Sequence, residues 1–262
     1  MSLEYRRDGD VALLTFRHPP VNAFGLPLRT ALVQAFAQIA DDGSVRAVVV
    51  HGAGKGFSAG GDKSEFGKPE ASARPTLSRD VLAAVEGCGK PVVAAVHGFA
   101  VGGGLEFALA CGTRIAVADA RVGLPEVGIG RFPLSGSQRL PRLIGIERAA
   151  QWMLGAQTMA ADHPDASGVF DRLIEQEASL LPIAIEAARG AAVSPPVPVR
   201  DRPFPDPDAK AALRAAIERH APARTFSAAQ QSLLAALQAA IDAPDFQAGL
   251  DRAQVLFDEL VG

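Results

Sequence analysis

The sequence predicts an α/β fold: a parallel sheet with covering helices, followed by a C-terminal helical subdomain. In the first part of the chain, short β-branched runs alternate with segments of helical spacing, which is typical of a parallel sheet. A proline-rich stretch at 190–207 then interrupts the pattern, because proline disfavours helix interiors and central strands. Beyond it only helical spacing recurs. We therefore predict a core over 1–190 and, over 191–262, a proline-rich loop with the helical subdomain.

The first elements along the chain are a strand and an amphipathic helix. The run VALLTF at 11–16 predicts the strand, and Pro19 and Pro20 end it because proline removes ladder donors. From Pro27 to Asp41, apolar residues recur every three or four positions, which predicts a helix.

Further strands and helices follow from the same patterns. Continuous β-branched runs predict buried strands at 46–51, 91–96 and 114–118. After the proline-rich stretch, Ala-rich and Leu-containing faces with helical spacing predict helices at 210–220, 226–241 and 246–260.

Composition excludes several classes of protein. The 262 residues are 48% hydrophobic, and 26 Lys+Arg against 29 Asp+Glu give a net charge of −3 without a basic stripe, which argues against a nucleic-acid partner. No apolar run is long enough to span a membrane, and the N-terminus lacks a secretory pattern, so we expect a cytoplasmic protein. Cys88 and Cys111 have no metal-ligand spacing, so we expect reduced core thiols and no metal site.

A glycine-rich segment, 52–62 (GAGKGFSAGGD), follows the strand at 46–51 and allows several interpretations. Residues 54–59 fit a loose dinucleotide-binding pattern, but no apolar helix follows to carry a pyrophosphate. Ser58 fits the G-x-S-x-G pattern of serine hydrolases, with His163 or His220 as the base, but four residues separate the strand from the motif. A plain glycine turn is a third interpretation.

A fourth interpretation is that the glycines give a ligand access to backbone amides. Without a Cβ, the amides at 60–61 can approach a carbonyl oxygen closely. The triplet at 102–104 precedes an apolar run, and the first amides of a helix have no internal partner. Two such donors together would form an oxyanion hole. Close packing of the helix against a strand is the alternative explanation of the triplet.

Two carboxylates lie in apolar surroundings near these glycines. Glu106 comes two residues after the triplet, and Glu126 lies within 122–130 (VGLPEVGIG). Such surroundings allow one acid to be protonated and the other ionised near neutral pH. Taken singly, each acid is also compatible with a surface salt bridge.

These segments together resemble the enoyl-CoA hydratase/isomerase, or crotonase, superfamily. The similarity runs from about 11 to 168 and rests on three ordered segments, at 57–62 (FSAGGD), 97–106 (HGFAVGGGLE) and 123–145 (GLPEVGIG through QRLPRLIG). The resemblance implies a crotonase-like β-β-α spiral core, a homotrimer or dimer of trimers, and an acyl-CoA thioester substrate without a further cofactor.

The resemblance also implies roles for individual residues. The amides of Gly61 and Gly103 would hold the thioester oxygen, and Glu106 and Glu126 would be the acid/base pair. The residues implied to line the acyl-CoA site are Ala23, Phe24, Gly61, Asp62, Lys63, Ser64 and Gly103. The implied reaction is the addition of water across the 2,3 double bond of a 2-enoyl-CoA thioester.

Departures from the family pattern bear on the acyl pocket and on the reaction. Where many hydratases have a glycine cluster, this chain has 131–137 (RFPLSGS), and its residues 246–250 and 256–257 resemble the hydratase half of multifunctional β-oxidation enzymes.

Three other reactions remain alternatives on the same fold. They are double-bond isomerisation, thioester hydrolysis and decarboxylation, and the first of them needs only one carboxylate. A non-catalytic acyl-CoA-binding protein is the alternative from another class.

Overall fold

A computed structural model describes residues 2–220 and 225–262. The strands are β1 (Leu3–Asp8), β2 (Val11–Phe16), β3 (Ala47–Gly52), β4 (Val92–Val96), β5 (Phe99–Val101), β6 (Thr113–Val117), β7 (Arg121–Gly123), β8 (Thr158–Ala160) and β9 (Arg172–Ile174). The α-helices are α1 (Leu26–Asp41), α2 (Pro69–Ser72), α3 (Leu82–Gly87), α4 (Gly103–Ala110), α5 (Gly136–Arg139), α6 (Pro141–Ile144), α7 (Ile146–Leu154), α8 (Leu180–Val193), α9 (Ala209–His220), α10 (Ala228–Asp242) and α11 (Phe246–Val261).

The strands form two sheets. The larger has six strands in the order β1-β2-β3-β4-β6-β9, and all its neighbours are parallel except the antiparallel pair β1 and β2. The smaller has three strands in the order β5-β7-β8. Along the chain, a strand of the large sheet is followed by one of the small sheet and then by a helix, as in β4-β5-α4. This recurrence is the β-β-α spiral that the resemblance implies.

The large sheet is covered on both faces, which explains its continuous apolar strands. Successive residues of β3 point to opposite sides: Val48 and Val50 join the main core, whereas Ala47 and Val49 join a second cluster. α8 covers the second cluster with Ala184 and Ala188. The predicted parallel sheet with helices on it is therefore confirmed, with β1 as its antiparallel edge.

The C-terminal helices pack on the body of their own chain. α10 lies against α11, α5 and α7, and its Leu233 and Leu237 belong to the main core. Ser227 and Gln230 form a reciprocal capping box at the start of α10, which satisfies two otherwise orphan donors. The three helices predicted from spacing are confirmed within two residues at each end.

The structure corrects one boundary and adds elements. The stretch predicted to be a loop from Gly190 is helical as far as Val193, because α8 continues its alanine-rich face to that point. Cys88 and Cys111 are buried and unpaired, as predicted. In the part of the chain that the structure describes, no helix is long and apolar enough to cross a membrane.

Candidate active site

The two glycine segments lie side by side at the edge of the small sheet. Ser58 forms a parallel bridge with Ala100 of β5, and the Val101 amide donates to the Ser58 carbonyl at 3.0 Å. A Cβ atom on Gly60 would lie 2.8 Å from the amide nitrogen of Gly103, so no side chain fits between the segments. Segments about 40 residues apart in sequence therefore meet at Gly60 and Gly103.

Close contact explains the glycine triplet at the start of α4. Gly102 has φ +57°, a conformation that favours glycine, and a Cβ on Gly104 would lie 2.2 Å from the carbonyl oxygen of Ser58. The close-packing interpretation of the triplet is thus correct for Gly104. It coexists with amide access, because Gly103 is the first residue of α4.

Hydrogen bonds on the neighbouring carbonyls fix the direction of two amides. The Gly60 carbonyl accepts from Phe24, and the Gly102 carbonyl accepts from Glu106. In a trans peptide the following N–H points the opposite way, so the amides of Gly61 and Gly103 are held in place before any ligand arrives. Neither amide has a hydrogen-bond acceptor among the described residues. The Gly61 nitrogen lies 3.6 Å from where a Cβ on Gly103 would be.

Apolar side chains from the segment after Asp62 lie against both glycines. A Cβ on Gly61 would lie 3.4 Å from Cε1 of Phe66, and a Cβ on Gly103 would lie 2.6 Å from Cδ2 of Leu77. Gly103 is buried, whereas Gly61 is exposed. The apolar surroundings of the Gly103 amide strengthen an interaction with a bound oxygen.

Glu106 is buried in the first turn of α4. Its Oε1 accepts a 2.7 Å hydrogen bond from the amide of Gly136, the first residue of α5. Burial raises the pKa of Glu106, while the Gly136 amide and the charge of Arg139 act in the opposite direction. The carboxyl group is therefore hard to ionise, but it has donors that stabilise its ionised form.

Glu126 faces the same site from a 3-10 turn, Glu126–Ile129. The residue as a whole is part-exposed, but its Oε2 is buried and has no hydrogen-bond partner among the described residues. A Cβ on Gly102 would lie 3.0 Å from its Oε1. Burial and then the charge of Glu106 raise the pKa of Glu126 well above its ordinary value. Both predicted acids thus lie at the glycine segments, and the upward shift of the pKa is the larger for Glu126.

The other predicted residues surround the Gly61 segment. Phe24 forms a parallel bridge with Gly61, but its ring packs in the core against Phe16 and Phe107, so its backbone lies nearest the site. Ala23 is part-exposed. Asp62 accepts from the Ser64 amide at 2.9 Å, and the hydrogen bonds from Ser64 lower the pKa of Asp62.

Lys63 and Ser64 are exposed, where a charged ligand can reach them. Both lie on the surface beside the Gly61 segment, Lys63 as the first residue of a short 3-10 helix. Their roles in acyl-CoA binding stay predictions.

The structure disfavours Ser58 as a nucleophile. Ser58 is fully buried; its hydroxyl donates to the Asn22 carbonyl at 2.7 Å and accepts from the Gly60 amide. His163 pairs with Asp165, and His220 stacks on Phe226, so neither serves as a base for Ser58. No cluster of metal-ligating side chains occurs within residues 2–220 and 225–262.

The segment at 131–137 supplies contacts that sequence motifs did not reveal. Phe132 is buried and packs edge-on against Phe257 of α11 at 5.5 Å, and Gly136 donates to Glu106. Gly136 therefore belongs to the site. So do Phe66 and Leu77, which lie against Gly61 and Gly103 and which the motifs also did not reveal. The sequence held one signal for Gly136: it is the glycine that remains where the family's glycine cluster stands.

Most of the chain is similar to one known protein family. Residues 6–251 match the family described as "Enoyl-CoA hydratase/isomerase". The chain is 41% identical over 149 residues to a "Probable enoyl-CoA hydratase" of Bacillus subtilis, covering 55% of this chain and 58% of that protein. It is 38% identical over 200 residues to a "Short-chain-enoyl-CoA hydratase" of Clostridium acetobutylicum, covering 74% of this chain and 76% of the relative.

A solved structure supports the same relationship. The fold superposes on an enoyl-CoA hydratase from Bacillus anthracis with a TM-score of 0.69 and 25% identity, covering 100% of this chain and 91% of that one. The chain also matches a "Peroxisomal bifunctional enzyme" of Danio rerio and a "Peroxisomal fatty acid beta-oxidation multifunctional protein AIM1" of Arabidopsis thaliana, and it spans 25% of the length of each.

Proposed function

The chain belongs to the enoyl-CoA hydratase/isomerase family, and from that premise we propose that it adds water across the 2,3 double bond of a 2-enoyl-CoA thioester. One observation carries the proposal. Two fixed and unpaired amides, at Gly61 and Gly103, lie beside two buried carboxyl groups with different proton affinities. The names of its relatives agree with this activity.

The amides would stabilise the charge that develops during the reaction. When water attacks C3, the electron pair of the double bond moves towards the thioester oxygen, which becomes an enolate oxygen. The N–H groups of Gly61 and Gly103 would donate to that oxygen and form an oxyanion hole. Removal of one such donor typically raises the barrier by about 3–4 kcal/mol, so this interaction would be a large part of catalysis.

The carboxyl groups would carry the protons. Glu106, with donors that favour its ionised form, would take a proton from the attacking water. Glu126, held protonated by burial and by the charge of Glu106, would position the water and give a proton to C2. The product is a 3-hydroxyacyl thioester, and one proton must return from Glu106 to Glu126 through solvent. Coenzyme A is part of the substrate in this scheme.

Isomerisation of the double bond is the nearest competing reaction. It needs one carboxyl group to move a proton between two carbons. The presence of two carboxyl groups, one as base and one as proton donor, favours hydration instead.

We also propose that the chain assembles as a homotrimer or a dimer of trimers in the cytoplasm. The resemblance to the family supports the oligomer. Light scattering after size-exclusion chromatography tests the assembly.

Purified protein and a panel of 2-enoyl-CoA esters in labelled water test the activity. We expect loss of the enoyl absorbance together with isotope at C2 and oxygen label at C3. Migration of the double bond without added oxygen would support isomerisation instead. Binding without turnover across the panel would favour an acyl-CoA-binding protein.

A further inference from the structure

Phe66 and Arg131 form a contact across the mouth of the site. The guanidinium carbon of Arg131 lies 3.9 Å from the centroid of the Phe66 ring. The edge of the same ring lies against Gly61. The pair therefore connects the segment of one amide with the segment that follows Glu126.

Both partners are held by their neighbours. The Arg131 amide donates to the Glu126 carbonyl at 3.0 Å. Phe66 follows Glu65, whose carboxylate accepts from the Leu26 amide at 2.6 Å and from Arg29 at 2.8 Å. Hydrogen bonds thus anchor the chain at Arg131 itself and at the residue next to Phe66.

The guanidinium of Arg131 has no acidic partner. Among the described residues, no carboxylate forms an ion pair with it and no side-chain or backbone acceptor bonds to it. Its guanidinium carbon lies over the ring, and its N–H groups are free to bind an anion. An arginine in this state is suited to bind a carboxylate through two parallel hydrogen bonds.

We propose that Arg131 recognises a carboxylate at the end of the acyl chain, so that the preferred substrates are 2-enoyl thioesters of dicarboxylic acids. This inference rests on the proposed hydration. Arg131 lies over the Phe66 ring, whose edge is against Gly61, the glycine that would hold the thioester oxygen. Its amide donates to the carbonyl of Glu126, the acid that would serve C2. The phosphates of coenzyme A are separated from the thioester by the whole pantetheine arm, so an acyl carboxylate is the nearer anion.

The test compares two substrates of equal chain length. Glutaconyl-CoA carries a carboxylate where 2-pentenoyl-CoA carries a methyl group. For the unmodified protein we expect kcat/KM to be about 10- to 100-fold higher with glutaconyl-CoA, the range for hydrogen bonds to a charged group. Arg131→Gln should lower that ratio about tenfold or more, and Arg131→Lys should lower it less. Arg172→Gln, on the exposed edge strand β9, is the matched control and should keep the ratio.

The outcomes separate this inference from the proposed function. If neither thioester is hydrated, the proposed function fails. If 2-pentenoyl-CoA is hydrated at least as well as glutaconyl-CoA, the carboxylate preference is wrong. If Arg131→Gln lowers kcat/KM equally for both substrates with a folded protein by circular dichroism, Arg131 serves a part common to both, and the assignment to the acyl chain is overturned.

Discussion

The amide of Gly136 donates a 2.7 Å hydrogen bond to Oε1 of Glu106, although 30 residues separate them. The donor is the first amide of α5, and the acceptor lies in the first turn of α4. The N-terminal ends of two short helices, α4 and α5, thus meet at the carboxyl group of Glu106. Because an N–H donor favours the ionised acid, this contact offsets part of the cost of burying Glu106.

The first prediction concerns the proposed base. Glu106→Gln keeps an oxygen that accepts from Gly136, so the fold should persist, but the amide cannot take a proton from water. We expect turnover of crotonyl-CoA to fall about 10²- to 10⁴-fold. The steady-state rate at which the enoyl absorbance is lost measures this turnover, and circular dichroism shows whether the variant is folded. Full turnover would mean that Glu106 is not the base.

The second prediction concerns the contact between the glycine segments. A Cβ on Gly104 would lie 2.2 Å from the carbonyl oxygen of Ser58. That oxygen belongs to the backbone and cannot move aside as a flexible side chain could, so the clash must be relieved by a shift of the main chain. We expect Gly104→Ala to lower the free energy of unfolding by at least about 1–3 kcal/mol and to lower hydration. Urea unfolding and turnover of the folded fraction measure the two effects.

Gly190 supplies the control for that substitution. It lies inside α8, and a Cβ there would meet no atom within 4 Å. Gly190→Ala should therefore stabilise the protein by about 0.5–1 kcal/mol, since alanine loses less backbone freedom in a helix. Equal losses of stability in the two alanine variants would contradict the role given to the Ser58 contact.

The sequence predicted those elements whose pattern is local. Continuous apolar strands such as β3 and the long amphipathic helix α1 were predicted within one or two residues, because their spacing reflects burial directly. β1 was missed because four of its six residues are exposed, so it has no apolar pattern. Its strand conformation depends on hydrogen bonds to β2. The three-residue strands of the small sheet are too short to show a period, so tertiary pairing decides them.

The candidate site shows the same division. Glu106 and Glu126 could be found because each is an acid in an apolar stretch. Phe66 could not, since a phenylalanine in an irregular segment gives no sign that its ring turns back onto the glycine five residues earlier. The motifs therefore located the carboxyl groups and backbone amides of the candidate site, but not the contacts that orient them.

The third prediction concerns pH. The folded pKa of Glu126 is raised, so the protonated form stabilises the fold. That stability is complete below the unfolded pKa of about 4.3 and is lost as the pH rises through the folded value. Glu126→Gln cannot ionise, so its melting temperature should exceed that of the parent by more at pH 8 than at pH 5. Each kcal/mol corresponds to about 2–4 °C.

Scanning calorimetry at the two pH values measures this difference. Because Glu106 and Glu126 interact, the pH at which stability changes reports the titration of the pair and not of Glu126 alone. The same temperature difference at both pH values would show that burial does not raise the pKa of Glu126.

The last prediction concerns Arg29, which binds the segment after Asp62 that packs against Gly61 and Gly103. Its buried guanidinium pairs with Glu65 at 2.8 Å and also donates to the carbonyls of Phe24, Glu70 and Pro75. Removal of one partner from a buried ion pair typically costs about 3–5 kcal/mol, because the other charge stays buried. We expect Arg29→Met to free the segment after Asp62, so that trypsin cleaves there in a protein otherwise folded, and to lower hydration.

Arg219→Met is the matched control, because Arg219 pairs with Glu147 on the surface and is 66% exposed. Surface pairs contribute less than about 1 kcal/mol, so this variant should resist trypsin as the parent does. The two variants lose the same charge and gain the same side chain. A difference between them therefore reports burial of the Arg29 network, and identical digestion patterns would show that Arg29 does not hold the segment over the amides.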